Sequence, residues 1–490
     1  MEQARLKRID RSQSYWGQVE IEALIGAEHV ARAIWELSGR LDLAAFLEHN
    51  KSVEGRAGAE RTDPRLLVSV WVYGFTLGIG AARELARRLE QEPGLRWLSG
   101  DEAINYHTLS DFRVAHGEAL DRLFSQVLGA LSQAGLVKLE QLTVDGTKIQ
   151  AQASGSSFRR EPSLRERLEQ AEAVVEQLSQ EAGGEPSRTR RMAAQQRAAS
   201  ERQARLKQAL QQVQEIAASK PAAQREQARA SFSEPEARVM KQGDGGFAPA
   251  YNVQSVTDAA HKIVVNVEVV TQANDQHQLL AALQRVEPLA PAAQVLVDGG
   301  YLNEHSIAEA VKRGVELIGP AQQRDEQRAH NQQQSLAQAG IDAQFGAHAF
   351  RILEHGAALQ CPRGKRLKLL SKAAGHDQYR AQASDCAPCP DRAQCCPNSG
   401  RRSVKIKRGS AVVESFHQRM HEPACKQLYQ LRGEVAEFPH AWWKEKFRLR
   451  KFHVRGLKKV RMEIKWAALT YNIQQWIRLL WRPALLAAAA

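Results

Sequence analysis

The chain has 490 residues, 43% of them hydrophobic and 25% charged, with a formal net charge of +13. This composition excludes a disordered chain, and no apolar run approaches the roughly 18 to 20 residues of a membrane span. The N-terminal MEQARLKRID has no signal-peptide core, so a cytosolic location is expected. So high a positive charge is unusual for an enzyme of small metabolites and suggests a polyanionic partner, nucleic acid first.

The first portion, to about residue 135, is patterned for helices, as in DPRLLVSVWVYGFTLGIGAARELARRLEQ. Asp63 followed by Pro64 predicts an N-cap and a first-turn proline. A second helix start is expected in NYHTLSDFRVAHGEALDRLFSQVLGAL, capped by Thr108 or Ser110, with His107 and Arg113 as surface or capping residues. From Val137 the pattern changes, and LEQLTVDGTKIQA alternates as a strand that should end at Asp145. Beyond it Leu164, Leu168, Ala171, Val175 and Leu178 follow a four-three spacing, GGEPS at 183–187 interrupts, and Leu206, Leu210, Val213 and Ala217 resume it. This predicts an inserted helical hairpin over 156–235; a disordered linker is the alternative, which the apolar stripe disfavours.

Strands return at APAYNVQSVTD and HKIVVNVEVVTQ, followed by a helix in NDQHQLLAALQRVEPL. VLVDGGYLN then drives a second strand into an Asp-Gly step at Asp298, before a helix around NEHSIAEAVKRG and the short strand VELIGP. The mixture indicates an α/β domain, in which functional groups sit at strand ends. Asp145 and Asp298 would then face one site as hard oxygen ligands suited to Mg²⁺ or Mn²⁺. The glycine after each would leave room for a metal and a phosphate beside the backbone. A lone Asp-Gly step more often marks a turn.

Five of the six cysteines fall between Cys361 and Cys396, which does not suggest a disulfide framework. Cys361, Cys386, Cys389 and Cys395 could form a closed, structural Zn²⁺ site, with Cys396 able to replace Cys395 and free thiols as the alternative. Cys425 should pack in a helix. From Lys444 to Lys465 the segment KEKFRLRKFHVRGLKKVRMEIK carries ten Lys or Arg against two Glu. Its interleaved Phe447, Leu449, Phe452, Val454 and Leu457 predict an element with one buried and one cationic side, as a phosphate-tracking surface requires.

Several blocks in the right order, VDGTKIQAQAS, PAYNVQSVTDAAHKIVVNVEVVTQANDQ, VDGGYLN and YQLRGEVAEFPHAWWKEKF, together with the N-terminal helical stretch, resemble the insertion-sequence transposases with a DDE-type, ribonuclease H-like core. The resemblance spans most of residues 60 to 475. It supplies a third carboxylate, Glu437, preceded by Tyr429 and Arg432 and followed after FPHAWW by Lys444. Glu434 competes for that role, and Arg432 stands one residue further from Glu437 than in the simplest form of the motif.

The fold implied is α/β: a ribonuclease H-like mixed sheet with an N-terminal all-helical domain (1–135), a core begun over 136–345 and holding the hairpin, a cysteine-rich module (346–404), and a C-terminal helical part (405–482). The activity implied is two-metal phosphoryl transfer, with Asp145, Asp298 and Glu437 holding two Mg²⁺ or Mn²⁺ ions for strand cleavage and strand transfer. Arg432, Lys444 and Tyr429, with Lys446, Arg448, Arg450 and Lys451, would contact DNA. Expected partners are element-end and target DNA and a second copy of the chain, with no membrane and no small-molecule substrate. A catalytically silent DNA-binding protein, or a nuclease without strand transfer, are the alternatives. His107 and His277 stay outside the catalytic set. Asn274 and Asp275 fit the family's Asn-Asp step, with a turn or helix cap as their simpler role.

Overall fold

The structure, a computed structural model, describes residues 19–48, 60–180, 190–287, 294–320, 333–353, 357–373, 376–407 and 411–489. They belong to two compact units. One comprises Met1–Leu136, Ile149–Tyr251 and Ala441–Ala490; the other comprises Val137–Lys148 and Asn252–His440.

In chain order the first unit opens with α1 (Val30–Ser38), α2 (Pro64–Thr76), α3 (Ala82–Leu89), α4 (Pro93–Ser99), α5 (Tyr106–Ala115) and α6 (Gly117–Gln133). Asp63 caps α2 as expected, its carboxylate accepting from Arg65 N at 2.8 Å with Pro64 in the first turn. The start of α5 differs from expectation. Asn105 is the cap, accepting from His107 N at 2.8 Å, and Thr108 and Ser110 lie inside the helix. Arg113 also differs: it is 4% exposed and not at the surface. Its guanidinium donates to Gly80 O, stands 4.7 Å from the Trp71 ring centroid and pairs with Glu463 at 3.7 Å. Burial lowers its pKa and Glu463 opposes that fall.

β1 (Gln141–Gln150) follows, then β2 (Phe158–Arg159), α7 (Glu161–Gln180), α8 (Arg190–Ala218), β3 (Ala230–Ser231), β4 (Arg238–Lys241) and β5 (Phe247–Asp258). Helices α7 and α8 form the expected hairpin, burying Leu164, Ala171, Leu206, Ala209 and Val213. The GGEPS interruption lies outside the described residues. β4 pairs with the start of β5, Arg238 opposite Ala250.

The second unit continues with β6 (Val264–Val270), α9 (Gln278–Val286), β7 (Gln294–Val297), α10 (Glu304–Lys312) and β8 (Glu316–Ile318). Its sheet has the order β6-β5-β1-β7-β8. β5 and β6 are antiparallel, whereas β1, β7 and β8 run parallel. Ala259 N donates to Gln141 O, and in the other unit Ala151 N donates to Pro249 O, so β1 and β5 are antiparallel. This mixed α/β sheet is compatible with a ribonuclease H-like core. Asp298 stands just past its strand, as expected, but β1 does not end at Asp145; the strand runs five residues further, because β5 continues alongside it.

A five-stranded antiparallel sheet follows, β9 (Arg351–Leu353), β10 (Ala358–Gln360), β11 (Arg366–Ala373), β12 (His376–Ala381) and β13 (Ser403–Lys407), with core residues Leu359, Leu367, Tyr379 and Val404. The unit ends with α11 (Ala411–Met420) and α12 (Pro423–Ala441), in which Cys425 is buried as expected. Pro439 sits inside α12, where it has no amide to donate.

The first unit closes with a π-helical turn at Trp442–Lys446, α13 (Leu457–Trp476), a second π-helical turn and α14 (Arg482–Ala489). Phe447, Leu449 and Phe452 are buried while Lys446, Arg448, Arg450 and Lys451 are exposed, the two-sided pattern the sequence predicts. Trp443 is fully buried. Glu463, also buried, accepts from His453 N at 2.9 Å and from His453 Nδ1 at 2.7 Å, so the acids of this segment are partly spent on its own backbone. Among the described residues no helix is long and apolar enough to cross a membrane.

Candidate active site

Four rungs join β1 to β7, Gln141–Val144 opposite Gln294–Val297, and the last pairs Val144 with Val297. The next residue on each strand is an aspartate. Asp298 caps the 3₁₀ turn Gly299–Tyr301, its Oδ1 accepting from Gly299 N at 2.7 Å. Asp145 is 15% exposed at its side chain, and its Oδ1 accepts from Arg432 Nη2 at 3.0 Å. Its Oδ2 lies 3.8 Å from His440 Nδ1, and the other ring nitrogen of His440 is 2.8 Å from Ser255 Oγ. Arg432 and His440 both belong to α12, so one helix presents two basic side chains to one carboxylate.

Electrostatics follow from that crowding. Burial raises the Asp145 pKa; Arg432 and the Gly146 amide pull it down, and the nearby Asp298 and Asp275 push it up again. Burial lowers the Arg432 pKa, but Asp145, Asp298 and Tyr429 more than reverse this and leave it raised. Tyr429 is raised first by burial, with Asp298 and Asp145 adding to the effect. Two predicted aspartates, Arg432 and Tyr429 are thus brought together.

A third carboxylate joins them that sequence reasoning left in a turn. Asp275 O does accept from Gln278 N at 3.0 Å, but its side chain caps nothing, since His277 precedes α9 without a side-chain cap. Instead Asp275 Oδ1 accepts from Asn252 Nδ2 and Gln254 Nε2, each at 2.7 Å, and its Oδ2 lies 3.6 Å from Lys148 Nζ. Tyr301 Oη donates to Gln254 Oε1 at 2.6 Å, closing the network. The partners come from β1 and β5, which no local pattern around Asp275 could announce.

The same network gives Gly146 a different reason from the expected one. A Cβ there would lie 2.4 Å from Gln254 Nε2 and 2.8 Å from Asp275 Oδ1. The glycine makes room for these side chains. Gly299 is looser, a Cβ there lying 3.3 Å from Pro320 Cγ.

Glu437 is exposed on α12, about 140° around the helix from Arg432 by the helical repeat. Its competitor Glu434 is 2.5 Å from Lys262 Nζ. Among the described residues no group of three or more His, Cys, Asp or Glu is close enough to hold a metal ion. The donor chemistry of Asp145 and Asp298 suits a hard divalent cation. They offer two carboxylates and not a finished cage.

In the cysteine-rich sheet, Cys361, Cys386, Cys389, Cys395 and Cys396 line one cavity of about 40 Å³, and all are free thiols. Burial pushes Cys395 up to about 11, with Arg402 opposing and Cys396, Cys386 and Cys361 adding to the rise. These are soft donors of the kind Zn²⁺ takes. Lys444, on the π-helical turn, and Lys446, Arg448, Arg450 and Lys451 belong to the first unit. Arg450 there pairs with Glu445.

Two family models match the chain. A transposase DDE domain matches residues 360–477, from the cysteine-rich sheet through α12 and the basic segment into α13. A transposase domain, DUF772, matches residues 19–115, covering α1 to α5. Asp145, Asp275 and Asp298 lie outside both stretches. Neither a curated protein nor a solved structure matches the chain.

Proposed function

We propose that this chain, which its two transposase-domain matches support as an insertion-sequence DDE transposase, binds the terminal inverted repeats of its element and catalyses metal-dependent DNA cleavage and strand transfer. The observation that carries the reading is the emergence of Asp145 and Asp298 side by side at the end of the β1–β7 ladder, opposite Arg432 and Tyr429 of α12. Asp145, Asp298 and Glu437 would hold two Mg²⁺ or Mn²⁺ ions, whose Lewis acidity activates an attacking oxygen and stabilises a leaving one. The pairing of Glu434 with Lys262 favours Glu437 as the third ligand.

The rest falls to the protein's own groups. Arg432 balances the charge of Asp145 and opposes the rise that burial gives its pKa. Once that balance is supplied otherwise, the guanidinium is free to clamp a phosphodiester with Tyr429, and Lys444 contacts DNA from its own unit. Lys446, Arg448, Arg450 and Lys451 track the DNA backbone, positioning it without reading its sequence. Water as nucleophile gives strand cleavage; a freed 3′-hydroxyl gives transfer into target DNA. The thiols of Cys361, Cys386, Cys389 and Cys395 would hold one structural Zn²⁺ only by drawing closer together than they stand here. Two copies act together on two ends in the bacterial cytoplasm.

A second reading, a catalytically silent DNA-binding protein, is favoured by one fact: Glu437 does not join the two aspartates in a three-carboxylate group. The deciding experiment incubates purified protein with labelled DNA carrying the element ends and Mg²⁺, comparing wild type with Asp298→Ala on a denaturing gel. Boundary cleavage that vanishes in the variant supports the transposase. Binding by both without cleavage, across several divalent ions, supports the silent protein, and cleavage without joined products points to a nuclease.

A further inference from the structure

Away from the carboxylates, the first unit contains a cavity of about 530 Å³ walled by the α7–α8 hairpin, the turn before β4 and the beginning of α13. Five cations line it: Arg167 from α7, Arg202 and Arg205 from α8, and Arg455 and Lys459 from the start of α13. Only two acids, Glu234 and Glu236, share the wall, leaving a surplus of three positive charges.

Both acids also accept hydrogen bonds from uncharged partners. Glu234 is 1% exposed and its oxygens accept from Tyr251 Oη at 3.0 Å, Ala153 N at 2.9 Å and Gly456 N at 3.3 Å. It fastens the left-handed Gly456, at φ +88°, and so fixes where α13 begins, with Arg455 just before it and Lys459 in its first turn. Glu236 accepts from Gln208 Nε2 at 2.8 Å. Arg205 pairs at the surface with Glu201 at 3.6 Å, and Arg202 stands three residues before it on the same helical face. Long cations gathered around a void repel one another, a cost that an anionic ligand would relieve. Phe232 supplies an aromatic face among them, with the Arg167 guanidinium 5.1 Å from its ring centroid.

We infer that this cavity binds the phosphate backbone of nucleic acid, its arginines pairing with phosphodiester oxygens and Phe232 packing beside a sugar or base. The inference rests on the DNA-acting reading above and gives the inserted hairpin a role, since its two helices supply three of the five cations. It uses none of the residues assigned to cleavage or to the 444–451 surface.

Binding of a labelled element-end duplex by the full chain tests it, by fluorescence anisotropy over a series of salt concentrations. Wild type is compared with Arg202→Ala/Arg205→Ala and with Arg165→Ala/Lys207→Ala, a control that removes two cations of the same helices outside the cavity. All three are checked for equal thermal midpoints. The cavity variant should bind roughly tenfold or more weakly at low salt. Its plot of log affinity against log salt should be shallower by about two, at close to 0.9 for each phosphate that is no longer neutralised. The control should keep the wild-type slope.

Equal losses in both variants, or no loss in either, would overturn the cavity site while leaving the transposase reading intact. A wild-type chain that binds no duplex at all would overturn both. Tripolyphosphate separates the sources of phosphate. If it raises the melting temperature of wild type but not of the cavity variant, while both bind duplex equally, the site takes a free phosphate compound and the backbone assignment fails. Cleavage has no part in these readouts, so an inactive carboxylate site would not disturb them.

Discussion

Asp145 and Asp298 each follow the last rung of the β1–β7 ladder, where Val144 and Val297 are Cα partners, and so stand at the same level on neighbouring strands. If they share divalent ions, each is indispensable. Asp145→Asn or Asp298→Asn should lower cleavage by about three orders of magnitude, several kcal/mol of charge stabilisation having been removed. Duplex affinity should stay within about twofold, because the cationic surface is untouched. A variant that still cuts would remove that aspartate from the site.

The buried setting of Asp145 makes the same substitution a stability experiment. Its pKa is raised above the ordinary 3.8, with burial the largest cause, so the folded chain holds that proton more tightly than the unfolded chain. The stabilisation is present in full below the unfolded pKa and is lost as pH rises through the folded one. Without divalent ions at pH 7, Asp145→Asn should therefore melt above wild type, and the gap should close as the pH falls toward 4. A variant that melts lower at pH 7 would mean that the ion pair with Arg432 outweighs burial.

Arg432 is the counterweight to that carboxylate. With side chains only 13% and 15% exposed, the pair is poorly screened, and Arg432→Ala leaves Asp145 beside Asp298 and Asp275 with its main cation gone. A loss of about 3 kcal/mol is expected from denaturant titration. Arg432→Lys should recover part of it, and added Mg²⁺ should rescue the alanine variant more than wild type.

Gly146→Ala should be costly although the residue sits in an ordinary strand. The new methyl would press on Gln254 Nε2 and Asp275 Oδ1, so the network must open or β1 must shift. Overpacking of this kind costs about 1–3 kcal/mol. Thermal unfolding checks it; a neutral substitution would show the network to be loose.

Glu463 offers a parallel test in the first unit. It is buried beside Arg113 and accepts from the more exposed His453, and Glu463→Ala would strand a buried guanidinium, with an expected loss of about 3–5 kcal/mol. Glu463→Gln, which keeps acceptors for His453 N, should cost less.

Zinc content can be read directly. Elemental analysis of protein purified without chelator should find one zinc per chain, and Cys386→Ser should lose it. A zinc-free wild type whose cysteines all react with a thiol reagent in the folded state would leave free thiols.

Much of this was legible in sequence because it is local. Apolar spacing gave the α7–α8 hairpin and the strands around Val144 and Val297, and Asp63-Pro64 gave the start of α2. Local pattern also misplaced the α5 cap by three residues or more, since Asn105 and Thr108 are both capable caps and only the packing of α5 chooses. Asp145 looked like a strand end because an Asp-Gly step usually is one; the antiparallel partner β5, a hundred residues on, keeps the strand going. The role of Asp275 and the burial of Arg113 were invisible for the same reason, their partners being distant in sequence. Glu437 was reached only through resemblance, and its exposed position on α12 has no counterpart in any local signal.

The long separations have a consequence for synthesis. Gln141 and Gln294 are 153 residues apart, and Asp145 and Arg432 are 287 apart. At the roughly 5–20 residues per second of translation, β1 waits about eight to thirty seconds for its parallel neighbour and about fifteen to sixty for the arginine. Contacts of such high order also close slowly once their partners exist. Nascent chains and prematurely terminated products therefore lack the paired acids or their counter-cation. On the proposed reading, an ability to cut DNA would have to wait on the ribosome until α12 has been made.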